Sequence, residues 1–404
     1  MSRPAILFLA HLLPWPLEGG GQIKSYHFLK ALAEDYDITL LAFIRSENER
    51  ASAEPLRPLC AGGIELISLP RGKVRDLGIA ARSALTGRSF IITRDDAATM
   101  HEAVTKELAK KPYAALHVDH LQMASFVPKD TRGAKVVLDE HNVEYRIPQR
   151  LAATSKNPLI RAFGALEWRR LRAFEREAIL RADLTIAVSD EDRHILQALS
   201  GASSDTMMTV PIGVDTVYFG ETDWKPGGKS LLSVGTMYWP PNVDAALYFY
   251  QEIFPKIRQQ MADSTLCLVG PKPTAEIVAL GDDPTVTVTG LVPDIRPYAE
   301  RCGVFIVPLR SGSGMRVKIL NAMAMGTPVV STVVGAEGID VTDGENILLA
   351  DSPEAFANAC LRVLRDPALA CRLATGGRAL MARQYSWDTV GAQLRTHYRG
   401  LLGA

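Results

Sequence analysis

Apolar residues along this chain fall mostly in short continuous runs, separated by longer stretches with helical spacing. In the first half the runs lie at 5–12, 37–43, 63–70, 114–120, 135–142, 183–190 and 207–213, with helical spacing at 22–33 and 102–110. Continuous rather than alternating apolar strands predict a parallel sheet covered on both faces. Strand–helix repetition then implies right-handed crossovers and a doubly wound α/β architecture. The pattern breaks at 215–230, where Gly, Pro and charge lack periodicity. It restarts with runs at 230–237, 264–270, 285–292, 304–309, 328–332 and 346–350, and ends in helical patterns at 353–365, 367–383 and 387–402. The reading is two Rossmann-like domains, 1–215 and 230–384, joined by a linker at 216–229, with a last segment at 385–404. In such sheets ligands sit beyond the carboxyl ends of the strands, so chemistry is expected in the loops there.

Composition narrows the function classes. Lys plus Arg (45) balances Asp plus Glu (45), so no broad basic surface points to nucleic acid. Cys60, Cys267, Cys302, Cys360 and Cys371 are scattered, which predicts reduced core thiols rather than a disulfide frame or a zinc site. The N-terminal run 5–13 is short and interrupted by His11 and the prolines at 14 and 16, so a buried first strand is expected, not an export signal. No run reaches the ~18 apolar residues of a membrane span. A cytoplasmic enzyme is the expectation. Residues 159–181 carry six arginines against three glutamates, plus Phe163, Trp168 and Phe174. That composition suits either an amphipathic helix packed on its own domain or peripheral contact with the inner face of a membrane.

Four loops carry candidate chemistry. Gly19, Gly20 and Gly21 follow the first strand and open a helix, where backbone amides are free to meet an anion. Asp119 and His120 end the run at 114–120, and a histidine there can hydrogen-bond a hydroxyl or carry a proton. Asp139, Glu140, His141, Asn142 and Glu144 crowd the end of another strand, and His141 and Glu144 are expected to face a cleft. In VPLRSGSGMRVKILNAMAMGTPVVST (307–332) a strand runs into Gly312, Ser313 and Gly314 and then a helix near 315–325. Arg316 and Lys318 beside such a loop suit a diphosphate, although solvated helix positions would look the same in sequence.

The segment KILNAMAMGTPVVST followed by GAEGI resembles the C-terminal signature of glycosyltransferase family 4, retaining enzymes of the GT-B fold. SVGTMYWPPNVDAALYF, TVTGLVPDIRPYAERCGVFIVPL and YSWDTV stand in that family's order, and the resemblance covers nearly the whole chain. It implies two facing domains, with the final helix returning to brace the first. Gly20, Gly21 and Gly235 would lie near the donor diphosphate. Val292 would lie near the nucleobase, and Gly312, Ser313, Gly314 and Met315 near pyrophosphate and sugar. Either Asp119 or His120 would flank the transferred sugar. The substrate would be a nucleoside-diphosphate sugar, with no cofactor and no catalytic metal; Asp95-Asp96 and Asp282-Asp283 make no convincing metal motif.

Two departures stand out. Ser313 and Asn321 occupy positions where many members carry glutamates, with Glu337 a candidate substitute, and the Arg and Lys usual after the SVG strand are absent. Arg316 and Lys318 would replace that pair. The competing readings are a nucleotide-sugar-binding protein without transfer activity and a GT-B UDP-N-acetylglucosamine epimerase. The acceptor and the oligomeric state stay open.

Overall fold

The computed structural model describes residues 3–17, 19–155, 157–312 and 314–403. The chain divides into two compact units: Met1–Pro211 together with Gly391–Ala404, and Ile212–Val390. Each is built on one all-parallel sheet.

In the first unit the strands are β1 (Ala5–Ala10), β2 (Asp37–Ile44), β3 (Gly63–Ser68), β4 (Ala115–Asp119), β5 (Lys135–Asp139), β6 (Leu184–Ala187) and β7 (Met207–Thr209). They lie in the order β3-β2-β1-β4-β5-β6-β7. One face packs Leu7, Leu9, Leu41, Phe43, Leu116, Val118 and Phe126 into the main core. On β4 the alternate residue His117 stacks near Phe8 and Phe28, its Nδ1 2.7 Å from Tyr398 Oη. Burial pushes the His117 pKa down to about 4, so it is a neutral core imidazole. Tyr398 sits on the last helix, Trp387–Leu402, which Arg395 and Arg399 also tie to Glu34 and Asp35 at 2.6 and 2.7 Å.

The second unit holds β8 (Ser230–Val234), β9 (Thr265–Val269), β10 (Val286–Gly290), β11 (Cys302–Val307), β12 (Val329–Ser331) and β13 (Leu348–Leu349), ordered β10-β9-β8-β11-β12-β13. Its core gathers Leu231, Phe249, Phe254, Leu266, Val304, Ile306 and Phe356.

Differences from the sequence reading have local causes. The run at 207–213 ends as a strand at Thr209, just before Pro211, which has no amide hydrogen for a ladder. The segment 216–229 is not free: it contains the helix Thr216–Gly220, and Trp224 Nε1 donates to the Cys302 carbonyl at 2.7 Å. One indole anchor, invisible to periodicity, attaches it to the second unit. The helix expected near 315–325 runs Val317–Ala324, with Arg316 as its N-cap. Cys60, Cys302 and Cys360 are buried free thiols, whereas Cys371 is exposed. The helix Lys73–Thr86, unread in the sequence, turns Val74 and Leu85 outward, each 89% exposed.

The His117–Tyr398 contact gives a stability test. Tyr398→Phe should lower the unfolding free energy of the first unit by about 1 kcal/mol in urea titrations. Tyr398→Ala should cost about 3–5 kcal/mol, as for other large buried aromatics.

Candidate active site

In each sheet the strand order reverses direction once, between β1 and β4 in the first and between β8 and β11 in the second. Crevices beyond the carboxyl ends of the strands at such points are where open α/β sheets take ligands.

In the first unit the register decides what stands there. Ala10 pairs with Asp119, and Asp119 with Asp139. In-register neighbours share a sheet face, so the two carboxylates lie side by side, with His117 two residues back on the same face. Both are completely buried, where unpartnered charge is prohibitive. The helix Gly20–Leu32 compensates: Lys24 Nζ sits 2.5 Å from Asp139 Oδ1, and Ser25 Oγ donates to both Asp119 oxygens at 2.9 and 2.8 Å. His141 Nε2 donates to Asp119 Oδ1 at 2.8 Å, and His120 Nδ1 lies 3.2 Å from Asp119 Oδ2. Burial by itself would raise the Asp119 pKa, but the two imidazoles outweigh it and hold the carboxylate well below its usual range. For His141, burial and Lys24 push its pKa down, yet Asp119 and Asp139 raise it overall.

His120 occupies φ +75°, a conformation that costs a non-glycine residue about 1–3 kcal/mol and collects at functional sites. Its backbone N–H donates to the Asp139 carbonyl at 3.1 Å, and its ring stacks on His141 with centroids 3.6 Å apart. The strain aims Nε2 at the glycine-rich helix start. A Cβ on Gly21 would lie 3.1 Å from His120 Nε2 and 3.6 Å from His141 Nδ1. That His141 nitrogen is buried and has no hydrogen-bond partner among the described residues. The Gly20, Gly21 and Gln22 amides have no carbonyl one turn back, and Gly19 provides no side-chain cap. Two ring nitrogens and an open helix start therefore converge on one spot.

This arrangement separates residues that sequence left together. Asp119 is 0% exposed and can only position its neighbours, while the His120 side chain is 13% exposed and reaches the spot. Glu144 does not face a ligand as expected: it is buried 3.5 Å from Gln122 Nε2, and its backbone N–H donates to Glu175 at 2.8 Å. Burial raises the pKa values of Glu140 and Glu144, and that of Glu175 to about 8. Asp119, His120 and His141 bring ligand atoms within 4.8 Å of one another, as do His117, Asp119 and Asp139. The Lys24 ammonium compensates Asp139 through Oδ1, and the Asp119 oxygens are engaged by Ser25 and His141.

In the second unit Gly235 follows β8, and Gly270 follows β9 at φ +155°. A Cβ on Gly270 would fall 1.7 Å from the Gly235 carbonyl, so only glycine allows this close backbone approach. Lys318, in the first turn of the helix Val317–Ala324, donates from Nζ to Asn242 Oδ1 at 2.9 Å, and a Cβ on Gly235 would stand 2.8 Å from that Nζ. Asn242 also donates to the Thr236 carbonyl at 3.0 Å, which orients it. Arg316 NH1 donates to the Gly314 carbonyl at 2.5 Å, and its NH2 would lie 2.5 Å from a Cβ on Gly312. Lys318 thus stands against Gly235, and Arg316 against Gly312 and Gly314. Arg316 caps the helix rather than riding on it, and Met315 is buried beneath. Asn321 is partly exposed, one turn beyond Lys318. Val292 stands in the loop after β10 and Glu337 in the turns after β12, both partly exposed. Ser313 lies outside the described residues. Asn242 was missed by sequence reading; its sole signal was a position soon after the SVG strand. Burial, reinforced by the Arg316 charge, pushes the Lys318 pKa down to about 7.

Residues 19–218 match the family described as Glycosyltransferase Family 4, and residues 228–366 match Glycosyl transferases group 1. A lipopolysaccharide core biosynthesis mannosyltransferase, LpcC of Rhizobium leguminosarum bv. viciae, is 25% identical over 295 residues, 68% of this chain and 81% of that protein. Among solved structures, sucrose-phosphate synthase from Thermosynechococcus elongatus superposes with a TM-score of 0.72 at 19% identity, covering 99% of this chain and all of that one. Anabaena HepE in complex with UDP gives 0.66 at 15% identity, again covering 99% and 100%. The fold is that of GT-B glycosyltransferases.

The depressed lysine makes a stability prediction. Its pKa is about 7 folded against 10.5 unfolded, so between these values the unfolded chain binds more protons and stability rises with pH. Lys318→Met should therefore stabilise the second unit by about 1–3 kcal/mol at pH 7. Denaturation curves for the two proteins should converge as pH approaches 10.

Proposed function

This chain belongs to glycosyltransferase family 4, and on that premise we propose that it moves a hexosyl unit from a UDP- or GDP-linked donor to an acceptor hydroxyl, with retention and without a metal. The observation that carries the reading is the Lys318 ammonium, held by Asn242 against the Gly235 backbone, beside the Arg316-capped loop at Gly312–Gly314. A lysine whose charge is disfavoured in the free protein gains most from a bound diphosphate, which restores its proton and is gripped in return. Arg316 adds a fork for two phosphate oxygens. Asn242 supplies orientation and Asn321 is available to ribose hydroxyls. LpcC is a mannosyltransferase, which favours mannose as the hexose.

In the transfer the acceptor hydroxyl oxygen bonds to the anomeric carbon as the carbon–oxygen bond to the diphosphate breaks. The nucleoside diphosphate leaves with the electron pair, and its phosphate oxygen takes the acceptor proton on the same side of the sugar. Stabilising charge on that leaving group is the main catalytic task, and preorganised cations and amides perform it. His120, strained and oriented by Asp119, would hydrogen-bond a sugar hydroxyl.

The protein is proposed to work at an anionic membrane surface. No helix among the described residues is long and apolar enough to cross a membrane. The helix Pro158–Arg181 buries two of its three glutamates, Glu167 and Glu175, leaving arginines to dominate its exposed side. Leu159 (78% exposed), Phe163 and Leu166 stand out from it, and Val74, Leu77 and Leu85 from the helix Lys73–Thr86. Arg170 joins the two helices through the Ser83 carbonyl at 3.3 Å. Exposed leucines among arginines match a bilayer interface.

Arg316→Ala and Lys318→Ala should each cut turnover of UDP- or GDP-sugars at least about 100-fold with EDTA present throughout. Near-normal rates in both variants would remove the diphosphate assignment. Flotation with vesicles containing phosphatidylglycerol should carry the protein upward at low salt, and Leu77→Glu with Leu159→Glu should abolish this. Equal flotation of the double variant would dismiss the bilayer surface.

A further inference from the structure

A second cationic site lies in the first unit, where β1, β2 and β3 end. Its centre is Asp95, a carboxylate only 1% exposed at the end of the helix Phe90–Asp95. Arg71 NH2 stands 2.6 Å from Asp95 Oδ1 and Arg45 NH1 3.8 Å from the same oxygen, while His11 Nε2 lies 2.9 Å from Oδ2. Arg45 follows β2, Arg71 follows β3 and His11 follows β1, so three successive strand ends deliver them to one point. The His11 ring is 5.5 Å from the His120 ring. The cluster therefore adjoins the group assigned to the transferred sugar.

Arg45 and Arg71 converge on the single Asp95 carboxylate, with Arg94 and Arg75 among their cationic neighbours and Glu49 and Asp76 among their acidic ones. Glu49 Oε2 is occupied by the backbone N–H of Arg45 at 3.0 Å. Arg75 is engaged by the Pro70 and Arg94 carbonyls at 3.0 and 2.9 Å, which pins the loop carrying Arg71. Burial pushes His11 down, so it is neutral and adds no charge. Burial, and next the neighbouring Arg71, bring the Arg45 pKa down to about 10, with Asp95 and Glu49 pulling the other way. Both arginines remain reachable, with side chains 18% and 30% exposed. Two guanidiniums that share one carboxylate oxygen are spaced to close on one tetrahedral dianion, each fork retaining N–H donors.

We propose that Arg45 and Arg71 form an acceptor subsite that binds a phosphate monoester, so that the hydroxyl to be glycosylated belongs to a phosphorylated molecule. This rests on the reading of the chain as a sugar transferase, because only then does the neighbouring His120 mark the place of transfer. A phosphate held there would meet the two guanidiniums now directed at Asp95 and anchor the acceptor by ionic forks. The phosphate belongs either to a lipid headgroup or to a soluble sugar phosphate.

The test uses the full chain and isothermal titration with inorganic phosphate, glucose 6-phosphate and dihexanoyl phosphatidic acid. Arg316→Ala/Lys318→Ala protein is titrated first, to silence the donor cradle. It should still bind inorganic phosphate, and adding Arg71→Ala should weaken that binding at least tenfold, with Arg71→Lys falling between. Tighter binding of phosphatidic acid identifies a lipid acceptor, and tighter binding of glucose 6-phosphate a soluble one. The proposal is overturned if phosphate fails to bind the silenced protein, or binds it equally with and without Arg71. Failure of the transferase reading shows separately, as absence of UDP and GDP binding to the unaltered chain, and leaves the Arg71 comparison readable.

Discussion

The first unit turns on the ion pair between Lys24 and Asp139, both without solvent exposure. Parallel registry forces Asp139 and Asp119 onto the same buried face, and such a pair is tolerable only if cations and donors reach it from above. The glycine-rich helix start exists in that setting. Gly21 lets the helix start lie close to the His120 and His141 rings, and with Gly19 as N-cap no side chain covers the leading amides. The same carboxylates then fix His141 and His120. Structural compensation and site geometry are one network, so a change at Lys24 or Asp139 would disturb both.

The second unit answers a similar problem with the opposite sign. Lys318 is largely withdrawn from water, and among the described residues its ammonium meets no carboxylate: it donates to the neutral Asn242 amide oxygen and lies near a second cation, Arg316. Left unliganded, that arrangement costs stability, and the cost is recovered when an anion arrives. Such local conflict between stability and geometry is what a binding site looks like physically. The Gly235–Gly270 approach leaves no space for side chains where the two strands end, which keeps backbone exposed beside the lysine.

Much of this was legible in the chain itself. Arg316 and Lys318 beside two glycines, and Gly20-Gly21 after the first strand, could be singled out because helix starts bind anions wherever they occur. Residues whose roles depend on neighbours across a sheet were less readable. Asp119 and His120 are adjacent in sequence and looked interchangeable, yet one is sealed and the other emerges through a strained φ. Glu144 looked cleft-facing because polar clusters seldom bury, yet it is buried, its carboxylate 3.5 Å from Gln122 and its backbone amide received by Glu175 on a distant helix. Asn242 and the Arg45–Arg71–Asp95 group gave almost no signal, since their members come from separate strand ends.

The order of apolar runs, the glycine positions and the break near 215 determined two doubly wound sheets and the loops that carry chemistry, because strand burial and helix starts are local properties of a few consecutive residues. Which side chains meet was decided only by tertiary structure. Registry between β1, β4 and β5, the reversal of strand order and the desolvation of Lys318 arise from contacts tens to hundreds of residues apart. Those contacts alone turn a list of polar residues into one accessible imidazole, one poorly solvated ammonium and two arginines sharing one buried carboxylate.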